Sequence, residues 1–240
     1  MGSTYFYLEY LMAFHSLLRE YFHNPAIFAV EYSLAPGEQY PVQPTEVRMG
    51  YAHVLSVAKS SNRVCVMGDS AGGSLSLNLI GDLRKVAMLV NGVPEMPAFI
   101  VLVSPWMTFV SKTHQDTEDD YLSSTALHKF ARLYAPDDSG TGVLQEASPS
   151  AGLISRRNAM GPKRGYYIWY GDKELLARDI RSTIQTLRNM GISVRSEVRR
   201  EGGRNVHVWP LISFFLASTQ ERRLQETKGI VRAIATSMGK

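Results

Sequence analysis

Apolar residues fall along the chain in two alternating rhythms. Short unbroken apolar runs occur at Ala26–Val30, Arg63–Met67, Ala98–Val103 and Gly165–Tyr170, and they read as strands covered on both faces. Between them the apolar spacing is helical. Tyr5–Phe22 carries Leu8, Leu11, Met12, Leu17, Leu18, Tyr21 and Phe22, and Asn24-Pro25 stops it. Further helices are predicted from Thr45, as a cap, to about Ser60, from Ser70 to about Val90, over Ser124–Tyr134, and over Leu175–Met190 with Gly191 as the stop. Two more follow at Leu211–Ser218 and Glu221–Ser237. Ser193–Val198 alternates as a half-exposed edge strand, and Glu201–Asn205 reads as loop. Strands alternating with helices predict an α/β fold with a mainly parallel sheet. Residues 1–240 are expected to form one domain, with an excursion from the sheet at about 107–160 of the kind that serves as a lid or binding loop.

Composition narrows the function classes. The 240 residues are 45% hydrophobic, enough for a core. The net charge is only +4, and Arg156, Arg157, Lys163, Arg164 and Arg195, Arg199, Arg200, Arg204 form two basic clusters. Neither cluster is interleaved with aromatics or zinc spacings, so they read as solvated surface and not as a nucleic-acid site. Cys65 is the only cysteine, which excludes an intramolecular disulfide, and it reads as a small buried residue. No apolar run approaches the ~20 residues of a membrane span. No leader pattern is visible, and a cytoplasmic location is expected if Met1 is the start.

The chemistry concentrates at Gly68-Asp69-Ser70-Ala71-Gly72, which fits G-x-S-x-G between an apolar run and a helix-periodic segment. A strand that must end, reverse and enter a helix within a few residues leaves one hydroxyl at the apex, beside helix N–H groups that stabilise developing negative charge. Bare neighbours two before and two after the apex would let strand and helix approach. The competing reading is a glycine-rich turn with Ser70 as an N-cap.

Five separated stretches then agree in order: Tyr32-Ser33-Leu34-Ala35-Pro36 with Tyr40-Pro41, the Gly68–Gly73 elbow, Ser104-Pro105-Trp106, Gly171 to Asp179 with Glu174-Leu175-Leu176, and His207-Val208-Trp209-Pro210. In these residues the chain resembles the hormone-sensitive-lipase-like esterases of the α/β-hydrolase superfamily, most of all their acetyl-ester hydrolases. The resemblance implies Ser70 as nucleophile, His207 as general base and Glu174 as the acid, with the Ala71 N–H in the oxyanion hole. Gly68, Asp69, Gly72 and Gly73 would be structural parts of the elbow, Asp69 tying neighbouring loops. Asp172 or Asp179 remains an alternative acid, and His15, His23, His53, His114 and His128 are the rival histidines. The implied reaction cleaves short-acyl esters through an acyl-enzyme, with no metal or organic cofactor and a small-molecule ester as the partner.

Two departures matter. Gly37 replaces the glutamate often found after Ala-Pro in this family, with Glu38 beside it. The family's H-G-G-G loop, which supplies most of its oxyanion hole, does not occur, and Met1-Gly2-Ser3 stands about where relatives leave that loop. The strand preceding H-G-G-G would lie between those at Ala26–Val30 and Arg63–Met67. Its absence predicts a slot in the sheet, an incomplete version of a longer protein, and weak or no turnover, since one lost oxyanion donor costs ~10²–10³. A non-catalytic protein of the same fold that binds a small molecule or a partner is the alternative function. Trp106, Trp209 and Tyr170 would line a pocket or pack in the core.

Overall fold

The computed structural model describes residues 3–93, 95–137, 142–150, 161–200 and 206–239. Four parallel strands, β1 (Cys65–Asp69), β2 (Phe99–Val103), β3 (Tyr166–Gly171) and β4 (Val194–Arg199), lie side by side in chain order. Cys65 pairs with Phe99, Ile100 with Tyr166, and Tyr166 with Val194. Parallel neighbours need crossovers, so every strand ends on one rim. The described helices are α1 (Thr4–Leu18), α2 (Val42–Ala58), α3 (Ala71–Leu89), α4 (Ser124–Tyr134), α5 (Val143–Ala147), α6 (Ala177–Asn189), α7 (Trp209–Leu216) and α8 (Gln220–Ser237). No described helix is long and apolar enough to cross a membrane.

The strands sort their side chains by parity. Ile100, Leu102, Tyr166, Ile168 and Tyr170 face a core with Leu77 and Ile80 of α3 and Ile180, Ile184 and Leu187 of α6. Phe99, Val101, Val103, Tyr167 and Trp169 face the other way, against Tyr10 and Phe14 of α1, Phe214 of α7 and Ile230, Val231 and Ile234 of α8. Burying each large apolar side chain contributes ~1.5–3 kcal/mol. Trp106 and Tyr170 belong to the first core and Trp209 packs against the second. Cys65 is only half-buried, yet burial of its thiol pushes its pKa up to about 12.

The run Ala26–Val30 is not a strand. It makes no ladder with β1, lies mostly exposed, and rests on α2, where Phe28 stacks beside His53 at 5.2 Å. Apolar content alone cannot make a strand where no neighbour meets its N–H and C=O groups. The helix expected from Thr45 begins at Val42 instead. Pro44 is tolerated in its first turn, where the missing N–H would have no acceptor, and the Thr45 hydroxyl donates to the Pro41 carbonyl (2.9 Å) rather than capping. Gly191, with φ +76°, ends α6 as expected, and the Ile192 N–H donates to the Leu187 carbonyl at 3.0 Å. The short helix α5 was not anticipated, because five residues are too few to show a period. The Glu201–Asn205 loop, residues 151–160 of the excursion, and with them Arg156, Arg157 and Arg204, lie outside the described residues.

The start of the excursion is fastened to α6 at Asp179. Its carboxylate takes the Thr113 hydroxyl, the Ser111 hydroxyl (3.2 Å) and the His114 ring (Nε2–Oδ2 3.2 Å). His114 Nδ1 in turn lies 3.2 Å from His128 Nε2. Burial pushes the Asp179 carboxyl up, but the His114, Thr113 and Ser111 contacts outweigh it and hold the group below its ordinary 3.8.

The β1–α3 turn owes its tightness to two glycines. A Cβ on Gly68 would stand 2.3 Å from the Gly72 carbonyl oxygen, and one on Gly73 2.7 Å from Pro105 Cβ. Gly72 has open space around that position, so bareness two residues after the apex is not what the packing requires. Gly68→Ala is therefore expected to destabilise the fold by several kcal/mol, at the upper end of single substitutions. Gly72→Ala should be neutral or stabilising by ~0.5–1 kcal/mol, as alanine replaces glycine within a helix. Urea unfolding of both variants checks the contrast.

Asp179→Asn should lower stability by roughly 1–3 kcal/mol at neutral pH by leaving buried partners unsatisfied. A depressed carboxyl stabilises above its unfolded pKa, and that stability is lost as pH falls through the folded value. The gap between wild type and variant should thus be full at pH 6 and close below about pH 4 in denaturation curves.

Candidate active site

Ser70 sits at the apex between β1 and α3 with φ 50° and ψ −118°. A side chain in this region costs ~1–3 kcal/mol and persists only where its surroundings fix it. Here the Ser70 N–H donates to the Val103 carbonyl (3.0 Å), while the Ser70 carbonyl accepts from the N–H groups of Trp106 (3.1 Å) and Ser74 (3.2 Å). Ala71 opens α3, so its N–H lacks an intrahelical acceptor.

His207 lies just before α7 and is 3% exposed. Its Nε2 stands 2.8 Å from Ser70 Oγ. The backbone around it is gripped: its N–H donates to Asp120 Oδ1 (3.1 Å), its carbonyl accepts from the Tyr121 hydroxyl (3.3 Å), and the Val208 N–H donates to Ser104 Oγ (3.0 Å). Val208 itself has φ 50°, unusual for a β-branched residue.

Glu174 lies in the turn after β3 and is also 3% exposed. Its Oε2 accepts from the Ser104 hydroxyl (2.7 Å) and the Gly171 N–H (3.0 Å). Its Oε1 faces His207 Nδ1 at 3.9 Å, an electrostatic contact longer than a hydrogen bond. Neither atom has another hydrogen-bond partner among the described residues. An imidazole with its proton on Nδ1, toward this carboxylate, leaves Nε2 free to accept the serine proton.

The other candidates stand elsewhere. Asp172 is partly exposed and its carboxylate pairs with Arg181 at 2.9 Å, while Asp179 serves the Ser111–His114 network. His15 Nε2 bonds with the Pro25 carbonyl, His53 lies against Phe28, His114 and His128 pair with each other, and His23 is exposed beyond α1. Asp69 accepts the Tyr7 hydroxyl at 3.0 Å, which ties α1 to the elbow. Burial raises the Asp69 carboxyl above its ordinary value, against the pull of Tyr7 and His207, and burial likewise raises the Tyr7 phenol.

The contacts of Ser104 and Asp120 are what the sequence did not show. Ser104 was visible only as the head of Ser104-Pro105-Trp106, one of the five stretches of the resemblance, and Asp120 only as one of the acidic residues at Asp116–Asp120. What distinguishes them is a set of side-chain bonds spanning 55 to 104 residues, which no local pattern carries.

An acetyl-hydrolase of Streptomyces hygroscopicus is 27% identical over 218 residues, covering 89% of this chain and 67% of that protein. A putative steryl acetyl hydrolase of Schizosaccharomyces pombe is 28% identical over 120 residues, 48% of this chain and 30% of that protein. Among solved structures, an esterase/lipase from an uncultured bacterium superposes with a TM-score of 0.68 at 20% identity, covering 88% of this chain and 65% of that one. An esterase of the bacterial hormone-sensitive lipase family gives 0.68 at 22%, with 87% and 64% covered. The chain thus spans about two thirds of the length of the Streptomyces protein and of these two solved esterases. Residues 4–210 match the alpha/beta hydrolase fold family, and the chain belongs to it.

Proposed function

We propose that the chain is a carboxylic-ester hydrolase, or the greater part of one, acting on short-acyl and first of all acetyl esters through Ser70, His207 and Glu174. The observation that carries this reading is the 2.8 Å approach of His207 Nε2 to Ser70 Oγ at the β1–α3 apex. The names of the acetyl-hydrolase relatives favour the acetyl group.

In this reading Ser70 Oγ attacks the ester carbonyl carbon as its proton passes to Nε2. The imidazolium is stabilised by the buried Glu174 carboxylate across the 3.9 Å gap, an interaction strengthened by exclusion of water. The oxyanion is met by the Ala71 N–H at the start of α3. Collapse of the tetrahedral adduct breaks the ester C–O bond, and Nε2 returns the proton to the departing alcohol. Water then repeats the cycle on the acyl-Ser70 ester and releases the acid.

A fluorophosphonate probe is expected to label the folded chain at Ser70. Ser70→Ala should abolish the label and His207→Ala should slow it by orders of magnitude, as read by intact-mass spectrometry. A folded chain that takes no label overturns the hydrolase reading and favours a binding role for the same fold.

A further inference from the structure

The excursion that leaves β2 returns to the site at three consecutive residues. Asp119 Oδ2 pairs with Lys173 Nζ at 3.1 Å, beside the acid turn. Asp120 accepts the Leu175 N–H on Oδ2 at 2.8 Å and the His207 N–H on Oδ1 at 3.1 Å. Tyr121 donates to the His207 carbonyl, with its ring centroid 6.1 Å from the imidazole. We infer that Asp120 is a positioning residue that clamps the Glu174 turn to the His207 loop, fixing the acid and the base relative to Ser70. This rests on the hydrolase reading above.

The two amides explain why a carboxylate stands there. Leu175 precedes α6 and His207 precedes α7, so neither N–H has an acceptor within a helix. A single ionised carboxylate satisfies both, one oxygen to each, and its charge makes both bonds stronger than neutral ones. Leu175 is the residue after Glu174, and the second amide belongs to His207 itself. The clamp therefore acts within one residue of each group whose separation matters. Ser104 bridges the same two segments from another side, donating to Glu174 and accepting from the Val208 N–H. Ser104 fixes the Glu174 side chain, whereas Asp120 fixes main chain on both sides of the gap. Asparagine could accept only one of the two bonds and alanine neither.

The test compares the 240-residue chain with Asp120→Asn and Asp120→Ala. Fluorophosphonate labelling of Ser70 gives a rate constant at saturating probe and a half-saturation concentration, and hydrogen exchange reads the Leu175 and His207 amides. Asp120→Ala should cut the rate constant on the order of 10²-fold, as misplacement of reacting groups does, with half-saturation unchanged. Both amides should exchange at least ~5-fold faster, as expected for a lost hydrogen bond. Asp120→Asn should retain protection at one amide and lose less rate, and it serves if the alanine variant does not fold. Labelling of Asp120→Ala at the wild-type rate constant, or unchanged exchange at both amides, overturns the clamp. Accelerated exchange in a chain whose wild type takes no label sinks the hydrolase reading and leaves the clamp standing.

Discussion

The Ser70 main chain is bonded on both sides to the exit of β2, and the site depends on that constraint. The parallel ladder does not stop where the strands stop. The Ser70 N–H continues it to Val103, the Ser104 N–H donates to the Trp169 carbonyl at 2.7 Å, and the Asp172 N–H donates to the Arg199 carbonyl at 2.9 Å. Each exit is stitched to its neighbour one residue beyond the strand. The nucleophile elbow, the Ser104 corner and the Glu174 turn thereby inherit the rigidity of a sheet packed on both faces.

That rigidity matters because the polar groups on the rim are buried. Glu174 is 3% exposed and draws two donors to one oxygen, leaving the other to face His207. A buried carboxylate without partners would bear a large desolvation cost, so Ser104 and the Gly171 amide are conditions for keeping a charge there. Asp69 is managed differently. Its partner is the Tyr7 phenol, a neutral donor carried by α1, and burial raises the Asp69 carboxyl all the same. The first helix is thus part of what supports the elbow as well as one cover of the sheet.

The parallel sheet was legible because β2 and β3 are apolar without interruption, as strands covered on both faces must be. The elbow was legible from its own spacing, whereas Glu174 and His207 stood out as candidates only through the resemblance to a family. Ala26–Val30 misled for the converse reason: its composition is that of a strand, but pairing is a property of the neighbour. Thr45 misled because a proline inside the first turn looks like a boundary and is not one. Asp120 stayed hidden among acidic residues, since a carboxylate accepting two distant amides has no signature in one dimension.

Three non-glycine residues around the site, Ser70, Ser104 and Val208, hold positive φ values of 50°, 46° and 50°. All three lie at exits from strands or at the entry to a helix. Backbone strain around the site is thus confined to corners that main-chain and Ser104 bonds hold in place. On the proposed hydrolase reading, loss of one of these bonds frees a corner and not a layer, so labelling at Ser70 falls while the helical circular dichroism stays intact.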